Sequence, residues 1–213
     1  SHTKVSSPES SYASCTVKPT ERYQSTVARM SRTETIGTTF RIEDTLANRG
    51  AYDQEFQVIY HANYGPPILG AGSRFVAPLR QVTPFNAHAA KDVSAYNEYG
   101  APTVGFVEQV YNLRPSADGD GRSLVMLRNA AGDRGVSMGF AVTELPYFTL
   151  WKNLTALEEG YVTGLEPGSL QPAREPLPVL LRLERPHHPG AHVGEALVVE
   201  VHGVLGGEDD AHA

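Results

Sequence analysis

The chain has 213 residues, 40% of them hydrophobic and 20% charged, with a formal net charge of −6. This length can bury a sizeable core in one large domain or two small ones, and the acidic balance, with no basic stripe, argues against a nucleic-acid binder. The single cysteine, Cys15, excludes an intrachain disulfide and fits a reducing, cytoplasmic setting; no apolar run approaches the roughly 20 residues that span a bilayer.

Ser1-His2-Thr3-Lys4 has neither an apolar h-region nor an initiator Met, so no signal peptide is read and the start is expected to be that of a fragment. Ser6 to Ser14 is polar and Ser-rich, a lead-in loop. Arg22 to Arg32 alternates imperfectly and predicts a strand. Thr38 to Leu46 is cleaner, with Phe40, Ile42 and Leu46 on one face and Arg41, Glu43 and Thr45 on the other. Asn48-Arg49-Gly50 is a turn. Glu55 to His61 alternates Phe56, Val58 and Tyr60 against Gln57, Ile59 and His61, and Pro66-Pro67 ends the strand because neither can donate to a ladder.

Arg74 to Leu79 is a short apolar strand, and Phe85 to Gly100 a loop with at most a helical turn. Val104 to Leu113 returns to strand. Asp118-Gly119-Asp120-Gly121 predicts a hairpin joining it to Ser123–Asn129, and Gly132-Asp133-Arg134-Gly135 a second hairpin leading to Val136–Thr143. Tyr147 to Asn153 is an aromatic strand holding Trp151, and Tyr161 to Pro167 follows after a short loop. Pro172 to Pro189 is Pro-rich, with a strand or short helix at Leu177 to Leu183. Ala196 to Leu205 is a last strand, and residues 206–213 form a frayed acidic tail. Many short strands, tight turns and no long helix predict one all-β sandwich over residues 1–213.

Two segments carry chemistry. In Tyr161-Val162-Thr163-Gly164-Leu165-Glu166-Pro167-Gly168 a strand runs into a carboxylate held by a Pro-Gly turn. In Tyr60-His61-Ala62-Asn63-Tyr64-Gly65-Pro66-Pro67 a His ends a strand-like run, on a face with Gln57 and Asn63 that is polar enough to line a cleft. A His and a Glu on neighbouring strand ends are a minimal acid/base pair.

In Arg41-Ile42-Glu43-Asp44 with Asn48-Arg49-Gly50, in Tyr60 to Gly65, in Ser73-Arg74-Phe75-Val76-Ala77-Pro78, in Gly105-Phe106-Val107-Glu108-Gln109, in Leu145-Pro146-Tyr147 with Trp151-Lys152, and in Gly164 to Gly168, the chain resembles the galactose mutarotase-like (aldose 1-epimerase) superfamily. These stretches cover most of residues 36 to 170 in the expected order. The resemblance implies an antiparallel β-supersandwich and a small-molecule sugar as partner, with no metal or organic cofactor. It implies His61 as the acid on the ring oxygen and Glu166 as the base on the anomeric hydroxyl. Glu108 or Gln109 resembles a sugar-hydroxyl contact, Asn63 and Tyr64 belong to the His61 motif and count with it as substrate contacts, and Trp151 and Lys152 resemble cleft-lining residues. The superfamily's additional N-terminal segment, with its substrate-binding Arg, finds no match, so the sheet is expected to be incomplete on that side.

Simpler readings stand beside these. Trp151 serves equally as core filler, and Glu108 as a solvated strand residue. His187, His188 and His192 sit in a Pro/Gly loop without a paired carboxylate, which is a solvated loop before it is a metal site. The second function kept open is a sugar-binding or sensor domain that performs no turnover.

Overall fold

The computed structural model describes residues 13–15, 27–50, 52–169, 181–183 and 193–204. In chain order its strands are β1 (Ala13–Cys15), β2 (Val27–Ile36), β3 (Thr39–Asn48), β4 (Gln54–Phe56), β5 (Tyr60–Tyr64), β6 (Arg74–Val76) and β7 (Leu79–Pro84). These are followed by β8 (Gln109–Pro115), β9 (Arg122–Arg128), β10 (Gly135–Ala141), β11 (Tyr147–Asn153), β12 (Val162–Gly168), β13 (Leu181–Leu183) and β14 (Val193–Val204). They pair antiparallel into two six-stranded sheets, β1-β5-β12-β11-β8-β7 and β2-β3-β14-β10-β9-β6, with β4 and β13 as a small separate pair. The expected all-β architecture is the observed one.

The core lies between the two large sheets. Period-two alternation sends Phe148 and Leu150 of β11, Tyr111 and Leu113 of β8, and Tyr60 and Ala62 of β5 inward. From the second sheet come Val125, Leu127, Val136, Met138 and Phe140. Phe148 joins the layers, its ring 5.5 Å from that of Phe75 and 6.0 Å from that of Phe140. Its replacement by alanine is expected to destabilise the protein by about 3–5 kcal/mol through lost burial and a cavity that rigid strands cannot close. Urea unfolding of Phe148→Ala against the wild type measures this.

Several expected elements are redrawn. Val104 to Glu108 is not strand: Gly105 takes a φ of 74°, Val104 and Val107 are exposed, and β8 begins only at Gln109. Arg74 to Leu79 is split, since β6 pairs with β9 in one sheet and β7 with β8 in the other. The Asp118–Gly121 turn closes locally as a hairpin would, with Asp118 Oδ1 accepting from the backbone of Asp120 and Arg122 at 3.0 and 2.9 Å. Yet it hands the chain from the first sheet to the second, so β8 and β9 are not neighbours. Gly132 to Gly135 does form a hairpin, β9 to β10. Glu55 to His61 breaks into β4 and the start of β5, Ala13 and Ser14 belong to β1, and Phe85 to Gly100 contains a 3-10 segment at Ala89–Ala95. The 206–213 tail and most of the Pro-rich stretch lie outside the described residues, apart from Leu181–Leu183. No helix among the described residues is long and apolar enough to cross a membrane.

Candidate active site

His61 and Glu166 meet because β5 and β12 are neighbours in register. Tyr60, Ala62 and Tyr64 face the core, so His61 and Asn63 face the other way. Beneath them the Tyr60 hydroxyl donates to Asp44 Oδ2 of β3 at 2.7 Å, fixing β5 to the opposite sheet. Thr163, Gly164 and Leu165 pair with Tyr64, Asn63 and Ala62, so the next step along the ladder sets Glu166 opposite His61. His61 Nε2 lies 3.0 Å from Glu166 Oε1.

The Pro-Gly after Glu166 is not a turn. β12 continues through Pro167 and Gly168, which pair with Phe148 and Tyr147 of β11. The continuous ladder with β5 ends at Leu165, two residues before the proline that has no N–H to offer.

The two side chains differ in access: that of His61 is 37% exposed and that of Glu166 only 7%. Burial pushes the Glu166 carboxyl up to about 7. Gly164 makes this packing possible. The Glu166 side chain folds back over it, and a Cβ at residue 164 would collide with Glu166 Oε1 and come within 3.3 Å of Trp151 Cε3.

Trp151 pairs with Gly164 and stands edge-on to His61, with ring centroids 5.9 Å apart at 63°. Its indole Nε1 donates to Glu108 Oε2 at 2.8 Å. That contact ties the exposed 101–108 loop to the site, and the loop is also held by Thr103 N donating to Leu154 O at 2.9 Å. Of the two candidates for a sugar contact, Glu108 therefore lies beside Trp151, while Gln109 does not. Gln109 is buried on the core side, where it donates to Asp92 Oδ2 at 2.5 Å and accepts from the Tyr111 hydroxyl at 3.3 Å.

Tyr64 and Lys152 also lie behind the sheet, away from His61. Tyr64 shares the parity of Tyr60, and burial raises its hydroxyl pKa. Lys152 follows Trp151 and so points to the opposite face, where Nζ donates to Glu98 O at 2.7 Å and sits 5.1 Å from the Tyr99 ring. Burial lowers its pKa to about 8, with the Asp92 and Glu98 charges working against that shift. Lys152 thus clamps the 89–99 segment to the back of β11 and does not line the cleft. Residues that the sequence reading did not single out also share the His61 face, Gly164, Thr149 and Asn112 among them. Strand parity with Glu166 and Trp151 was the available signal. Among the described residues no group of three His, Cys, Asp or Glu side chains could hold a metal ion; His187, His188 and His192 lie outside them.

Residues 18–177 match the family described as "Domain of unknown function (DUF4432)". The chain belongs to this family. The DUF4432 chain is also similar to the crystal structure of a "putative aldose 1-epimerase" from Klebsiella pneumoniae, with 31% identity and a TM-score of 0.76 over 89% of this chain and 50% of that one. It therefore spans half the length of the Klebsiella protein. A like-named protein from Escherichia coli K12 superposes at 14% identity and a TM-score of 0.57, covering 89% of this chain and 64% of that one. A galactose mutarotase-like protein from Clostridium acetobutylicum does so at 11% and 0.54, covering 89% and 66%. At those identities the likeness is one of fold: the DUF4432 chain has the galactose mutarotase-like β-sandwich. No curated protein matches it.

Proposed function

We propose that this chain binds an aldose, or a derivative of one, over the His61–Glu166 face and interconverts its anomers. The observation that carries this reading is the 3.0 Å approach of His61 Nε2 to Glu166 Oε1, an exposed imidazole against a buried carboxylate on adjacent strands. Glu166 takes the proton from the anomeric hydroxyl, and the electrons left on that oxygen form the carbonyl. The bond from C1 to the ring oxygen breaks, and the ring oxygen takes a proton from His61 Nε2. After rotation about C1–C2 the same transfers run backwards onto the other face of the carbonyl, which leaves both side chains as they began. Each positioned acid or base contributes on the order of 10²–10⁴ in rate. The sugar parts the pair on binding, its ring oxygen replacing Glu166 as the partner of His61 Nε2.

The test is exchange NMR on a panel of aldoses across pH. The base must be ionised, so exchange is expected to rise with pH through about 7, where Glu166 gives up its proton. A flat profile between pH 5 and 8, or no exchange with any aldose, would count against it. The second reading, a sugar-binding domain without turnover, draws on the Trp151 ring beside His61 as a stacking surface that needs no proton transfer. Sugar binding that survives Glu166→Gln, in a wild type that exchanges nothing, would favour it.

A further inference from the structure

Beyond Glu166 the same face of the sheet continues as a row of polar side chains crossing the strands. In register, Glu166 faces Thr149 of β11, Thr149 faces Asn112 of β8, and Asn112 faces Thr83 of β7. The adjoining row, Ala62, Leu165, Leu150 and Tyr111, turns to the other face and fills the core. Glu166, Thr149 and Asn112 are 6, 4 and 6% exposed, although all three point away from that core. A solvated sheet face would leave such residues open to water, and a packed one would be built from apolar side chains. Buried polar side chains thus run on from the ionisable pair along one face of the sheet.

We propose that Thr149 and Asn112 form the subsite that reads the substrate's ring hydroxyls, with the anomeric centre held over Glu166. The proposal rests on the proposed sugar site at His61 and Glu166 for that orientation. Strands lie about 4.8 Å apart, so Thr149 is one strand and Asn112 about two strands from Glu166, the range over which a pyranose spreads its hydroxyls. A threonine hydroxyl and an asparagine amide each donate and accept, as a sugar hydroxyl does. Neither carries charge, so the part of the ligand they meet is the neutral, hydroxylated part of an aldose.

Thr149→Val and Asn112→Leu remove the polar atoms at nearly constant shape, and Thr149→Ser keeps the hydroxyl. The probes are D-glucose, D-galactose and their 2-deoxy and 6-deoxy analogues, followed by exchange NMR. Thr149→Val and Asn112→Leu should each raise KM by about 3- to 10-fold with kcat little changed. Each should also narrow the preference for the parent sugar over the analogue lacking the hydroxyl that is read, while Thr149→Ser retains it. An unchanged KM and preference in variants that melt like the wild type would overturn the proposal. If the wild type exchanges none of these sugars, the activity reading fails and the subsite is judged by saturation-transfer NMR with the same probes. Weaker binding in Thr149→Val or Asn112→Leu then supports it; binding equal to wild type, or none in the wild type, overturns it. Should Asn112→Leu fail to fold, Asn112→Ser takes its place.

Discussion

Glu166→Gln is expected to slow anomer exchange by about 10²–10⁴-fold while leaving the protein folded. Glutamine keeps the shape of the side chain and an acceptor for His61 Nε2, but it cannot carry a proton away from the anomeric hydroxyl. The same substitution should change stability in a pH-dependent direction. The folded-state pKa of Glu166 is raised by burial to about 7 from an ordinary value of 4.5, so the native protein holds a proton that the unfolded chain releases. Wild-type stability therefore falls as pH rises from about 4.5 to about 7, and the glutamine variant does not share that loss. Thermal melts at pH 4.5 and pH 8 should show the variant gaining on the wild type at the higher pH. Undiminished exchange in Glu166→Gln would remove the carboxylate from the chemistry, whatever the melts show.

Gly164→Ala is the second large effect expected, a rate loss of about 10²-fold from the displacement of a group that is not itself changed. The added methyl would collide with Glu166 Oε1, the tip of a flexible side chain, so the carboxylate moves and the backbone need not. Gly164 is not among the glycines of positive φ, so alanine can adopt its conformation. A carboxylate swung out of its buried place gains water, and its pKa falls back toward the ordinary range. The rising limb of the pH–rate profile should then move to lower pH together with the drop in rate. A merely structural role would lower the melting temperature and leave that limb where it was.

Much of this was legible in the sequence, and the reason differs from residue to residue. Tyr147–Asn153 was read to the residue, because a run of aromatic and β-branched side chains has one good local solution. His61 and Glu166 stood out for their places: His61 closes an alternating run ahead of the Gly-Pro-Pro break, and Glu166 stands directly before Pro167. The facing of Tyr64 and Lys152 was also within reach, since neighbours on a strand point to opposite faces, and Trp151 and Lys152 cannot both line one cleft. Motif adjacency had grouped them nonetheless. Val104–Glu108 has the composition of a strand, but whether it pairs depends on a partner distant in the chain, and Gly105 breaks the path. The sheet to which β9 belongs was beyond local reading altogether. Asp118–Gly121 has hairpin chemistry, and only the packing of both layers decides that the chain changes sheets there. Thr149 and Asn112 looked like ordinary strand polar residues until the register set them in line with Glu166.

That change of sheets bears on when the protein can first work. Between β5 and β12 the chain passes to the second layer at β6, returns for β7 and β8, leaves again for β9 and β10, and comes back at β11. Both excursions lie between His61 and Glu166 in the chain, and contacts that close such long detours are the slow ones in folding. On the proposed reading, anomer exchange should consequently lag behind secondary structure during refolding from urea and return with the last kinetic phase. Enzymatic assay would then serve as a clock for the final docking of the two layers.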